Sequence, residues 1–222
     1  MERKKTHESG ITAVGRSFYC AGGKKLVTDI RTGCISWTYH DWIGNFYPAA
    51  SKSSEFLGLY SRVFDLVEVD STFYRSPSST MVRQWKEKTP DNFLFTVKMP
   101  KRITHESKLK GIEKELEYFE KTVKILDSKL AAVMAQLPPF LKYDDSSFDA
   151  LSKFLDSTDP EIRYAIEFRN RSWFREETYK LLRAKRACFA WSVNEYVKEM
   201  PKEVTTDFAY VRFMGDWKTR KT

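Results

Sequence analysis

Short apolar runs rich in β-branched residues alternate with amphipathic stretches along this chain. That alternation is typical of repeated βα units, in which helices cover a sheet of largely parallel strands. The predicted strands are residues 29–36, 66–70, 94–99, 131–137, 163–168, 187–192 and 208–213. The predicted helices are residues 54–64, 79–88, 111–128, 146–156 and 175–185. The pattern therefore predicts an α/β fold with seven recognisable strands.

The chain of 222 residues is long enough for one substantial hydrophobic core. No internal repeat or low-complexity linker divides it, so one domain over residues 26–222 is the simplest interpretation. Residues 1–25 mix glycines with polar residues, and we interpret them as an N-terminal extension that is expected to be partly disordered.

Charge and cysteine content limit the class of protein and its partners. The formal charge of +8 favours encounters with anions such as nucleic acid or phosphorylated metabolites. The three cysteines are widely spaced and form no Cys-x-x-Cys pair, which favours a reducing compartment. Neither a secretory signal nor an apolar run long enough for a bilayer is present, so we expect a cytoplasmic protein without membrane contact.

Ordered sequence blocks identify a family resemblance. Residues 33–48 read G-C-I-S-W-T-Y-H-D-W-I-G-N-F-Y-P, and residues 67–77 read V-E-V-D-S-T-F-Y-R-S-P. Further blocks are T-P-D-N-F-L-F-T-V-K, R-I-T-H-E, A-Q-L-P-P, A-I-E-F-R-N-R-S-W-F and Y-V-R-F-M-G. Together they resemble the domain of unknown function 72 family, the YecE-like proteins. The resemblance implies a TIM-like (β/α) barrel and implies no established reaction.

The chain departs from that family pattern near its carboxyl end. The family block after the seventh strand normally reads Arg-x-His-Gly, whereas Met214 stands at the histidine position here. The eighth βα unit, which the family places after this block, has no counterpart. We therefore expect a gap between the first and last predicted strands, covered by residues 11–14 or 17–20 of the extension or by a second chain.

Polar residues occur late in several predicted strands, where a parallel barrel is buried on both faces. Alternation places Glu68 with Asp70, Thr96 with Lys98, and Glu167 with Arg169 on shared faces. Gln136 and Arg212 occupy similar late positions. In TIM-like barrels these positions point into the C-terminal mouth, where catalytic groups lie. A satisfied buried ion network is the alternative interpretation.

Two further groups complete the candidate site. His105, just after the third predicted strand, is the main candidate for proton transfer at neutral pH, and His40 in the aromatic segment is the alternative. Aromatic residues near the predicted mouth either form stacking walls around a ligand or plug one end of the core. The members of this second group are Trp37, Tyr39, Trp42, Tyr74 and Trp173.

The sequence leaves two functions open. The first is an enzyme, a hydrolase or lyase, that acts on a phosphorylated or other anionic ligand. In it, Glu68 or Glu167 provides acid/base chemistry. The anion is bound by a set of basic residues: Lys98, Lys101, Arg102, Arg169 and Arg212. The second is a non-catalytic module that binds nucleic acid or protein. No metal-binding or nucleotide-loop motif is present, so we expect neither metal nor cofactor; the oligomeric state is left open.

Overall fold

A computed structural model describes residues 10–18, 27–194, 196, 197, 199, 201 and 203–214 of the chain. The strands are β1 (Gly10–Phe18), β2 (Val27–Ile35), β3 (Leu66–Val69), β4 (Leu94–Lys98), β5 (Leu130–Leu137), β6 (Tyr164–Phe168), β7 (Cys188–Phe189), β8 (Trp191–Val193) and β9 (Phe208–Met214). The helices are α1 (Phe56–Tyr60), α2 (Ser79–Glu87), α3 (Glu113–Val123), α4 (Asp145–Ser157) and α5 (Glu176–Ala184).

The strands form one sheet that closes almost completely on itself. Its order is β7-β6-β5-β4-β3-β2-β1-β9-β8, with parallel pairing from β2 through β7 and between β8 and β9. Only Ala190 separates β7 from β8, so one bent run of chain pairs with β6 on one side and with β9 on the other. The result is a TIM-like barrel, as the sequence predicted.

Strand β1 occupies the position between the first and last of the predicted strands. It is antiparallel to both neighbours, pairing Ile11 with Cys34 of β2 and Gly10 with Met214 of β9. The expectation that the N-terminal extension covers this gap is confirmed for residues 10–18. The rest of the extension, and Gly215 at the end of the departing family block, lie outside the described residues.

Alternation along the strands separates two apolar layers. Residues such as Val67, Val97 and Ile166 belong to a large cluster shared with Val82 of α2 and Phe119 of α3. Their neighbours along the strands form a smaller cluster in the barrel interior, which includes Leu66, Met134, Ala165, Phe208 and Tyr210. This arrangement directs the polar residues at positions 68, 98 and 167 away from the helices and into the barrel. In the described part of the chain, no helix is long and apolar enough to cross a membrane.

Candidate functional site

Arg212 joins two strands across the barrel interior. Its Nη2 lies 2.8 Å from Glu68 Oε1 and its Nε lies 3.1 Å from Glu68 Oε2, which makes a bidentate pair. Its Nη1 donates to Glu167 Oε2. All three side chains are almost fully buried. Because β3 and β6 are not neighbours of β9 in the sheet, these contacts show that both glutamates point inward.

Glu68 has additional partners that the sequence analysis missed. Thr12 of β1 donates to its Oε2 at 2.9 Å, and the hydroxyl of Tyr210 donates to the same oxygen at 2.8 Å. The Tyr210 hydroxyl also lies 3.0 Å from Thr96 Oγ1. Burial together with the charge of Glu68 raises the pKa of Tyr210, so its hydroxyl stays protonated as a donor. Tyr210 shares a strand face with Arg212, and that alternation could have identified it.

Glu167 is held as a carboxylate by two arginines. Arg169 Nε donates to its Oε1 at 3.0 Å, while Arg212 occupies its other oxygen. Burial alone would raise the pKa of Glu167. The charges of Arg212 and Arg169 outweigh that effect and hold the pKa at about 2.

These contacts form the buried ion network that the sequence left as the alternative. Glu68 and Glu167 have no exposed surface, and hydrogen bonds satisfy both their carboxylates. The N–H donors of the Arg212 guanidinium are likewise engaged by these two carboxylates. In this arrangement Glu68 and Glu167 position the arginines, and the burial of Arg212 and of both glutamates gives no support to their predicted anion-binding and catalytic roles.

Lys98 and Asp70 form a second ion pair at the carboxyl ends of β4 and β3. Lys98 Nζ lies 2.7 Å from Asp70 Oδ1, and it also lies 4.4 Å from the centre of the Phe73 ring. The Lys98 side chain is 7% exposed and that of Asp70 is 25% exposed. The pair is therefore recessed, yet it opens toward solvent, unlike the network around Arg212.

His105 lies beside this pair in a helical turn over Arg102–Glu106. Its Nδ1 is 2.8 Å from Thr104 Oγ1, and its ring packs edge-on against Phe73 at 4.9 Å. Burial lowers the pKa of His105, and the charges of Lys98 and Arg169 lower it further, to about 4. The imidazole is therefore neutral at pH 7, and it lies within electrostatic range of both cations.

Gln136 and Arg169 complete the mouth. Gln136 of β5 is in register with Glu167 of β6, so its side chain points into the barrel at the same level. It is 5% exposed, and its Oε1 is buried without a hydrogen-bond partner among the described residues. Arg169 donates only its Nε to a described acceptor, and its guanidinium lies 5.7 Å from the Tyr196 ring.

Most of the candidate aromatic residues pack into the core. Trp37 contacts Trp85 edge-on at 5.9 Å, and Trp42 stacks with Tyr60 of α1 at 6.5 Å. Trp173 is fully buried, with its Nε1 donating to the Leu141 carbonyl. The rings of Trp37, Trp42 and Trp173 thus pack with the large cluster between strands and helices, in keeping with a plug at one end of the core, and the burial of Trp173 gives no support to its predicted role as a stacking wall. Tyr39 donates to the Ile35 carbonyl, and Tyr74 is exposed near Phe73.

Two clefts lie at the opposite, N-terminal end of the barrel. One has a volume of about 590 Å³ and lies between residues 158–164, 185–187 and 205–208. The other, of about 270 Å³, shares Arg163 and Phe208 with it. Neither is lined by the aromatic residues expected to border the main pocket. Among the described residues, no group of three or more His, Cys, Asp or Glu could hold a metal ion.

Comparison with known proteins identifies the family. The family described as "Protein of unknown function DUF72" matches residues 31–222. The chain belongs to this family. UPF0759 protein YunF of Bacillus subtilis is 31% identical over 157 residues, which are 68% of this chain and 54% of YunF. UPF0759 protein YecE of Escherichia coli K12 is 28% identical over 65% of this chain and 50% of YecE. The chain spans about half the length of these curated relatives.

Solved structures of the DUF72 family share the fold. A DUF72 protein of Thermotoga maritima is 32% identical, with a TM-score of 0.68 over 78% of this chain and 69% of that one. A DUF72 protein of Enterococcus faecalis is 20% identical, with a TM-score of 0.59 over 71% of this chain and 58% of that one. The second likeness supports the barrel fold alone.

Proposed function

We propose that the C-terminal mouth of this DUF72 barrel binds a small phosphorylated or other anionic ligand and acts on it. The observation that carries the proposal is the convergence of Lys98, Arg169 and neutral His105 at the carboxyl ends of β4 and β6. In enzymes with this fold, catalytic groups occupy the same end of the barrel.

Both cations retain donors for a ligand. Lys98 donates to Asp70, and its ammonium carries two further N–H groups. Arg169 uses Nε for Glu167, and its Nη groups have no acceptor among the described residues. A guanidinium and an ammonium held in a recessed site bind phosphate or carboxylate oxygens through charge-assisted hydrogen bonds.

In this proposal, His105 is the residue that accepts the proton. His105 is the stronger base of the two candidates, because its pKa of about 4 lies above the pKa of about 2 of Glu167, and its imidazole is neutral and free to accept a proton at pH 7. Asp70 keeps Lys98 in place, and Glu167 keeps Arg169 in place.

A nucleic-acid-binding or protein-binding module receives less support. Stacking platforms for bases need exposed aromatic faces, but Trp42 and Trp173 contact other core residues. Lys98 and Arg169, the cations of the mouth, are only 7% and 13% exposed, so a small anion reaches them more readily than a polymer backbone does.

Calorimetric titration with inorganic phosphate and with acetate tests the proposal. At least one of the two anions should bind the parent protein, and Lys98→Met or Arg169→Gln should weaken that binding about 10-fold or more. Lys153→Gln on the exposed face of α4 removes the same charge and should leave the affinity unchanged. If neither anion binds, or if all three variants behave alike, the proposal is wrong.

A further inference from the structure

Gln136 is a buried polar residue, only 5% exposed, and its Oε1 accepts no hydrogen bond from any described residue. The neighbouring carboxylate in register, Glu167, is already engaged by Arg169 and Arg212. An unpaired buried amide destabilises the folded protein relative to an apolar side chain of the same size.

Fold stability does not explain the amide at this position. Because Ala135 and Leu137 pack outward with the helices, Gln136 points inward, and its Oε1 meets no donor there among the described residues. A buried polar group without a hydrogen-bond partner destabilises the fold and is typical of a binding site, where the ligand supplies the missing partner. The inward direction of Gln136, shared with Glu167, places its amide on the floor of the mouth.

We propose that Gln136 binds a hydroxyl group of the ligand, so that the mouth selects an anion carrying a hydroxyl close to its charged group. This inference rests on the proposed function, in which Lys98 and Arg169 hold the anionic end. The ligand class is then a hydroxylated phosphate ester or a hydroxy acid.

A hydroxyl fits this position better than the other common donors. A hydroxyl both donates and accepts, so it satisfies either end of a glutamine amide. An ammonium group would be repelled by Lys98 and Arg169, whose charges already lower the pKa of His105. An apolar group would leave the Gln136 amide unpaired, and sites built around such an amide reject ligands that lack the polar partner.

Matched ligand pairs test the hydroxyl. Calorimetric titration compares glycerol 3-phosphate with n-propyl phosphate, and glycolate with acetate, which separates a phosphate from a carboxylate ligand. In the preferred pair, the hydroxylated member should bind the parent protein about 10-fold more tightly. Gln136→Met should reduce that preference to about one while binding the unhydroxylated member as before.

Thermal midpoints show whether a variant of Gln136 is folded, so that a change in ligand preference can be assigned to the lost amide. Because Gln136→Met removes an unpaired buried amide, its thermal midpoint should equal or exceed that of the parent protein. Gln136→Asn, which keeps the amide but shortens its reach, should lose part of the preference. Gln84→Met on the exposed surface of α2 is the matched control and should retain the full preference.

Each contrary result has a separate meaning. Equal binding of both members of each pair by the parent protein overturns this inference and leaves the anion site standing. A preference that survives in Gln136→Met shows that another residue binds the hydroxyl, and the inference is wrong. If inorganic phosphate and acetate both fail to bind the parent protein, the proposed function itself fails, and this inference fails with it.

Discussion

Arg212 is the residue on which the barrel interior depends most. It compensates two wholly buried carboxylates, Glu68 and Glu167. Removing one partner of a buried ion pair leaves an uncompensated charge, which costs about 3–5 kcal/mol. Arg212→Met should therefore lower the free energy of unfolding by about that amount in urea denaturation.

Arg83→Met is the matched control, because Arg83 is exposed on α2 and its loss should change stability by less than about 0.5 kcal/mol. Equal stability of the two variants would mean that the Arg212 network contributes nothing to folding.

His105 should make the protein less stable as the pH falls. Its pKa is lowered from 6.5 to about 4 by burial and by Lys98 and Arg169. Between these two values the unfolded chain binds a proton that the folded protein excludes. Acidification from about pH 6.5 to about pH 4 therefore favours unfolding. Thermal midpoints measured across this range should fall less steeply in His105→Asn than in the parent protein.

Glu167 acts in the same direction over a lower range. Its pKa is lowered from 4.5 to about 2, so the stability it contributes is complete above pH 4.5 and is lost toward pH 2. The His105 contribution is thus separable between pH 4.5 and pH 6.5. Identical midpoint curves for the parent protein and His105→Asn in that interval would contradict a lowered histidine pKa.

The sequence predicted the direction of individual strand residues better than their roles. Alternation alone indicated that Glu68 and Glu167 point inward, since the flanking valines, isoleucine and phenylalanine pack outward. It could not show that one arginine serves both glutamates, because that depends on contacts across the barrel. Thr12, which is 56 positions from Glu68, was missed for the same reason.

The aromatic segment after β2 illustrates what local pattern leaves undecided. Its composition suits either a ligand wall or a plug, and only packing distinguishes them. The short helix α1 contacts the rings of Trp42, Phe46 and Tyr47. In the last of these contacts, Tyr47 stacks on Phe56 at 4.3 Å. Tyr47 also donates to the Trp37 carbonyl at 2.7 Å, which fixes the start of the segment. The segment therefore mainly closes one end of the core, and this role depends on its contacts with α1, which lies elsewhere in the sequence.

Strand β1 is the element whose loss should affect the whole sheet. It pairs along its length with both β2 and β9, and Thr12 supplies one hydrogen bond to Glu68. Deleting residues 1–23 removes β1 and exposes two sheet edges, which promotes pairing between molecules. The truncated protein should have a lower thermal midpoint, or should form larger species in light scattering.

Deleting residues 1–9 alone keeps β1 and provides the control. A protein without residues 1–23 that is as stable and as monodisperse as this control would show that β1 does not close the sheet in solution.

At the scale of the whole molecule, the periodic pattern predicted the seven parallel strands and the five helices of the βα units. Strands β3, β4 and β6 are short and almost wholly buried, so their apolar runs are visible in the sequence. The break at Ala190 between β7 and β8 was not visible, because it depends on which neighbour each half pairs with. Barrel closure likewise depends on antiparallel pairing between residues 10–18 and residues 208–214, which local periodicity does not indicate.

Net charge is the remaining property of the whole molecule with a testable consequence. A formal charge of +8 predicts weak binding of a fluorescent single-stranded oligonucleotide, and fluorescence anisotropy should show that this binding declines as salt rises. The association should arise from exposed lysines and arginines, since Lys98 and Arg169 are only 7% and 13% exposed. Lys98→Met and Arg169→Gln should therefore change oligonucleotide affinity no more than the surface variant Lys153→Gln does. The same two variants should lose small-anion binding, and this contrast separates the mouth from the surface. If they instead abolish oligonucleotide binding while Lys153→Gln does not, the mouth is a nucleic-acid site and the binding-module alternative is correct.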